Sequence, residues 1–72
     1  MMKHYKVGDE VYIDGYTSFC DPGYRTVESI EKRFDERTGI EYQLIITESG
    51  SAYRSDTGAC VKGAAMYYMV IT

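Results

Sequence analysis

Tyr5-Lys-Val-Gly-Asp-Glu-Val-Tyr-Ile-Asp-Gly15 contains a Gly-Asp turn, a short alternating run and a closing glycine. Val11 and Ile13 fall on one side of that run and Tyr12 on the other, the period-two pattern of a strand with one buried face. Turn and glycine bound the strand at about Glu10 to Asp14. Outward from it the chain keeps the same style. Gly-Asp, Asp-Pro-Gly, Thr-Gly, Ser-Gly and a second Thr-Gly recur at short intervals, separated by β-branched and tyrosine-rich runs of strand length. Such spacing is that of an all-β sandwich or barrel.

The remaining elements follow from turn chemistry. A long loop, Gly15 to Tyr24, ends in Asp21-Pro-Gly23, which predicts a type II turn with Gly23 at positive φ. The second strand covers Arg25 to Phe34. Val27 and Ile30 can share the core only if a β-bulge near Glu28 or Ser29 absorbs one residue. Asp35 to Gly39 makes a hairpin loop, with Asp35 accepting backbone N–H bonds and Gly39 in the left-handed region. In the third strand, Ile40 to Thr47, four apolar residues (Ile40, Tyr42, Leu44 and Ile46) share one face. Ile45 interrupts the polar other side. After a turn at Glu48 to Ser51, a fourth strand spans Ala52 to Ser55, and Asp56 to Gly58 turns the chain again. Val61 to Met66 fits a single 3₁₀ turn, and Tyr67 to Ile71 is the last strand. The expectation is one domain, residues 1–72, folded as a five-stranded antiparallel barrel. Its expected core is Val11, Ile13, Val27, Ile30, Leu44, Ile46 and Val70.

At 72 residues the chain lies near the lower limit for folding unaided, burying only ~60% of its unfolded surface. Its 44% hydrophobic content is that of a globular protein and above that of a disordered one. Eight basic and eleven acidic residues give a net charge of −3. They are interleaved, as in Glu31-Lys-Arg-Phe-Asp-Glu-Arg37, which counts against nucleic acid as the partner, since phosphate binding wants clustered cations. Folding could still gather Arg25, Lys32, Arg33, Arg37 and Arg54. The N-terminus has no apolar signal core and no run approaches the ~20 residues of a membrane span, so a cytoplasmic protein with no membrane partner is expected. Cys20 and Cys60 lie far apart in no metal-like spacing, which predicts two reduced thiols.

A long first loop, a three-strand meander, a short helical turn and a final strand resemble the SH3-like barrel. Val7-Gly-Asp-Glu-Val-Tyr-Ile13 is similar to the first strand of KOW- and Tudor-type barrels. Gly63-Ala-Ala-Met-Tyr67 resembles the turn and tyrosine before the last strand of peptide-binding SH3 domains. That resemblance implies a binding module, and small free-standing acidic barrels of this kind are expected in bacteria or their mobile elements. The chain departs from the SH3 pattern in having no tryptophan, and alanines stand where the turn has its proline. Binding of PxxP peptides in the usual groove is not implied.

Catalytic signals are weak. His4 is the only histidine and lies near the terminus, and no phosphate loop, dinucleotide fingerprint or nucleophile elbow is present. A zinc site from His4, Cys20, Asp21 and Cys60 lacks the close ligand pairs that structural zinc favours. Glu28, Glu31, Asp35, Glu36 and Glu41 alternate with Lys32, Arg33 and Arg37, as cross-strand charge pairs do. No enzyme, cofactor or metal is expected.

Tyrosine is the anomaly: eight residues, beside two phenylalanines. Strand propensity and half-burial in a small barrel account for most of them. Tyr12, Tyr16, Tyr24, Tyr53 and one of Tyr67 and Tyr68 are expected to point outward, where tyrosine makes rigid, amphipathic contacts. The expected binding residues are Tyr12, Tyr16, Asp21, Tyr24 and Tyr53, on and around the long loop, with Glu10 and Asp14 beside them. Such a surface suits a basic protein or peptide segment. The second reading is a nucleic-acid-binding barrel that uses Arg25, Arg33 and Arg54. The third is a homo-oligomer protomer, packed through Ile45 or the Tyr67-Tyr68 edge.

Overall fold

The computed structural model describes residues 4–71, which are all-β with no helix among them. Six strands form one antiparallel sheet: β1 (Glu10–Gly15), β2 (Gly23–Asp35), β3 (Ile40–Thr47), β4 (Ala52–Arg54), β5 (Cys60–Lys62) and β6 (Tyr67–Met69). Their order is β5-β4-β3-β2-β1-β6, a five-strand meander whose last strand returns to the first. The two ends of the sheet meet. Ala59 bridges Tyr68, and the Met69 N–H donates to the Gly58 carbonyl at 2.8 Å, so the sheet curls into a nearly closed barrel.

The small all-β barrel is the expected one, with an additional strand. Cys60–Lys62 pairs with β4 as β5, where a 3₁₀ turn was expected from Val61 onward. Gly63, at φ 115°, ends the strand, and the chain then turns with Tyr67 N–H bonded to the Ala64 carbonyl. Asp21-Pro-Gly23 also differs from expectation, because Gly23 does not have positive φ and begins β2 opposite Ile13. Its missing Cβ leaves room for the Arg25 guanidinium, which donates to the Asp21 and Tyr24 carbonyls.

One core fills the barrel: Tyr5, Val11, Ile13, Val27, Ile45, Tyr53 and Met69, with Ile30, Cys60 and Tyr67 packed against it. The register of β2 against β3 shifts between Val27 and Ser29, the bulge that lets Val27 and Ile30 both point inward. The inward face of β3 is the reverse of the one expected. Ile45 lies opposite Ile30 and Tyr53 and is fully buried, which removes it as a surface for a second subunit. Leu44 and Ile46 stand on the other face, where Leu44 is buried as expected, though outside the main core cluster, and Ile46 is half-buried. Counting apolar residues misleads here because the inward polar residues are satisfied. Gln43 accepts from Tyr5 N–H (2.8 Å) and donates to the Tyr5 carbonyl (2.9 Å). The buried Thr47 hydroxyl meets Ser49 Oγ at 2.9 Å and the Ser51 carbonyl at 3.3 Å. A hydrogen-bonded polar group can occupy an interior position at small net cost. In β6 the core residue is Met69, which pairs with Ile13, and period two turns Val70 away.

Candidate functional site: an aromatic face beside an acidic loop

Tyr12 and Asp14 alternate with Val11 and Ile13, so they stand on the outer face of β1. Register then builds a cluster around them. Tyr24 of β2 lies opposite Tyr12, and Tyr68 of β6 lies opposite Asp14. The rings of Tyr12 and Tyr24 meet edge-to-face at 5.1 Å, and Tyr16 tilts over Tyr68 at 4.6 Å. Two aromatic pairs thus flank one carboxylate. Asp14 accepts from the Gly15 N–H at 2.8 Å and from the Tyr68 hydroxyl at 3.4 Å. Desolvation and the neighbouring Asp14 charge raise the Tyr68 pKa, so this phenol stays neutral and able to donate.

The adjoining loop, residues 16–22, is held at its base. Tyr16 N–H donates to the Met66 carbonyl, and Asp21 N–H donates to the Tyr67 hydroxyl, both at 2.9 Å. Gly15 has Cys20 packed where a Cβ would stand. These ties present Tyr16 at 71% exposure and Phe19 at 94%. The Asp21 carboxylate stands on the same loop with no ion-pair partner among the described residues.

Of the five residues expected to bind, Tyr12, Tyr16, Asp21 and Tyr24 lie on this face or its loop. Tyr53 does not. It is 4% exposed, opposite Ile45, and burial raises its pKa; its place is in the core. Tyr67 likewise packs against the core, which leaves Tyr68 as the outward member of that pair. Tyr68, of the pair in which one ring was expected to point outward, joins the face, and Phe19 of the adjoining loop was not among the residues expected to bind. Tyr68 was ambiguous until the pairing of β6 was known, and a lone loop phenylalanine carries no periodic signal.

The arginines of the nucleic-acid reading are engaged within the fold. Arg54 lies over the Tyr42 ring at 4.0 Å and bonds Asp56 (2.6 and 2.9 Å) and Asp35 (3.4 Å). Arg33 pairs with Glu31, and Arg25 donates to backbone carbonyls. Among the described residues no three His, Cys, Asp or Glu side chains gather to hold a metal, and no helix is long and apolar enough to cross a membrane. Cys20 and Cys60 are separate thiols, bonded to the Met66 and Lys62 carbonyls respectively. No family model, curated protein or solved structure matches the chain.

Proposed function

We propose that this barrel is a non-enzymatic binding module for a basic protein or peptide segment, engaged by the outer face of β6, β1 and β2. The observation that carries this is the pairing of Tyr12 with Tyr24 and of Tyr16 with Tyr68 around Asp14. A lysine or arginine laid across these rings gains ~0.5–2 kcal/mol, and the carboxylates of Asp14, Glu10 and Asp21 steer it there. Because Arg25, Arg33 and Arg54 are engaged within the fold, the nucleic-acid reading comes second. A cytoplasmic setting, where Cys20 and Cys60 stay reduced, fits the reading.

Titration of the full chain with a short arginine- and lysine-containing peptide tests it by amide chemical shifts. Shifts centred on Tyr12, Asp14, Tyr16, Tyr24 and Tyr68, falling away with added salt, are expected. The Tyr16→Ala/Tyr24→Ala variant should bind about tenfold more weakly, the equivalent of one lost cation–ring contact. No shift with the basic peptide, or shifts with a single-stranded oligonucleotide instead, would overturn the proposal.

A further inference from the structure

The outward turn of Leu44 and Ile46 builds a second surface, on the other half of the barrel. Leu44 and Ile46 of β3, Ala52 of β4, Val61 and Lys62 of β5, Glu31 and Arg33 of β2, and Gly50 line an open concavity of ≈ 300 Å³. Its floor is apolar: Leu44 and Ala52 are buried although they lie outside the core cluster, and Val61 stands exposed on one wall. Its rim is positive at one end. Arg33 is paired with Glu31, but Lys62 is exposed and has no acidic partner among the described residues. The site therefore suits a protruding apolar side chain with a carboxylate close behind it.

The same chain carries that complement. Phe19 is the most exposed large apolar side chain of the described residues, and Asp21, two positions on, is exposed with its carboxylate in no ion pair among them. The ties at Tyr16 and Asp21 fix the base of their loop, so presenting this knob costs little ordering. We propose that the groove receives the Phe19 loop of a second copy of this chain, with Phe19 over Leu44, Ile46 and Val61, and Asp21 against Lys62. One knob and its rim bury less than the ~1,200 Å² of a standard interface, so the contact is a weak, concentration-dependent one. It involves neither ring pair of the peptide-binding face and shares only Asp21 and its loop with that face, so the Lys62→Glu variant, changed in the groove alone, reads it apart from peptide binding.

Amide spectra and sedimentation of the full chain from ~20 μM to ~1 mM span the range of a weak interface. Concentration-dependent shifts should appear at both the 16–22 loop and the groove residues, with a rising average mass. Phe19→Ser should abolish them. Asp21→Lys and Lys62→Glu each set like charges face to face and should each be monomeric. An equimolar mixture of these two variants restores opposite charges wherever the loop of one meets the groove of the other, so association should return. Spectra that do not change with concentration, persistence of the shifts in Phe19→Ser, or a mixture that stays monomeric would each overturn the proposal. All three positions are exposed, and unchanged melting temperatures will show that the variants fold.

Discussion

Gly58 shows how one residue closes the barrel. Its φ of 78° lies where an L side chain is strained, and a Cβ there would collide with the Met69 carbonyl oxygen. Its own carbonyl accepts the Met69 N–H that joins the two ends of the sheet. Gly39 separates the two effects, because it has a similar φ of 72° and open space around it. Gly39→Ala should cost only the conformational strain, about 1–2 kcal/mol. Gly58→Ala adds a backbone clash that cannot relax without opening the β6 edge, and should cost about 3 kcal/mol or more. Urea titration of both variants checks this; equal losses would mean that the approach of Met69 is not tight. The sequence marked both glycines as turn residues, but only the structure separates a glycine needed for φ from one needed for φ and space.

Long-range ties between strands come from two polar side chains on opposite faces of the sheet. Gln43 holds the backbone of Tyr5 on both sides, so a side chain substitutes for a strand in pinning the segment that carries the Tyr5 ring into the core. Gln43→Ala should lose about 1–3 kcal/mol, two net hydrogen bonds, and speed amide exchange at Tyr5. Arg54 joins the β2–β3 hairpin to the β4–β5 turn through Asp35 and Asp56. The Arg37 N–H and then Arg54 lower the Asp35 pKa, and Arg54 lowers that of Asp56, from an ordinary 3.8. A carboxylate with a depressed folded pKa stabilises fully above its unfolded pKa and loses that contribution as pH falls through the folded one. Stability should therefore be flat near neutrality and decline below about pH 4. Arg54→Met should shallow that decline; an unchanged acid limb would assign it to other carboxylates. Element boundaries in β1, β3 and the 35–39 loop were legible, as was the bulge in β2, because turn residues and bulge spacing act locally. The facing of β3 was not. It depends on Gln43 and Thr47 finding partners at Tyr5, Ser49 and Ser51, and β5 likewise forms only because β4 lies beside it.

Across the whole molecule, seven of the eight tyrosines divide between the core, against which Tyr67 also packs, and the outer face, a division that composition alone could not make, while Tyr42 lies under the Arg54 guanidinium. Tyr5 and Tyr53 are built into the core, while Tyr16 and Tyr24 are exposed and Tyr12 and Tyr68 lie half-buried on the outer face. Tyr53→Ala empties a large buried volume and should cost about 3–5 kcal/mol. That is most of the stability of a small domain, which belongs at the low end of the ~5–15 kcal/mol range. Tyr16→Ala and Tyr24→Ala should leave the melting temperature almost unchanged. The same division sets the alkaline limit of the fold. Burial raises the pKa of Tyr5 and Tyr53 above the ordinary 10.0. A phenol whose folded pKa is raised contributes stability that is complete below its unfolded pKa and lost as pH climbs through the folded one. Tyr5 and Tyr53 should accordingly ionise only together with the loss of β-structure seen by circular dichroism, because a phenolate has no place among Val11, Ile13, Val27 and Ile45. Tyr53→Phe keeps the ring and removes the phenol, so it should move the alkaline unfolding limit to higher pH. A limit unchanged in that variant would assign alkaline unfolding to other groups.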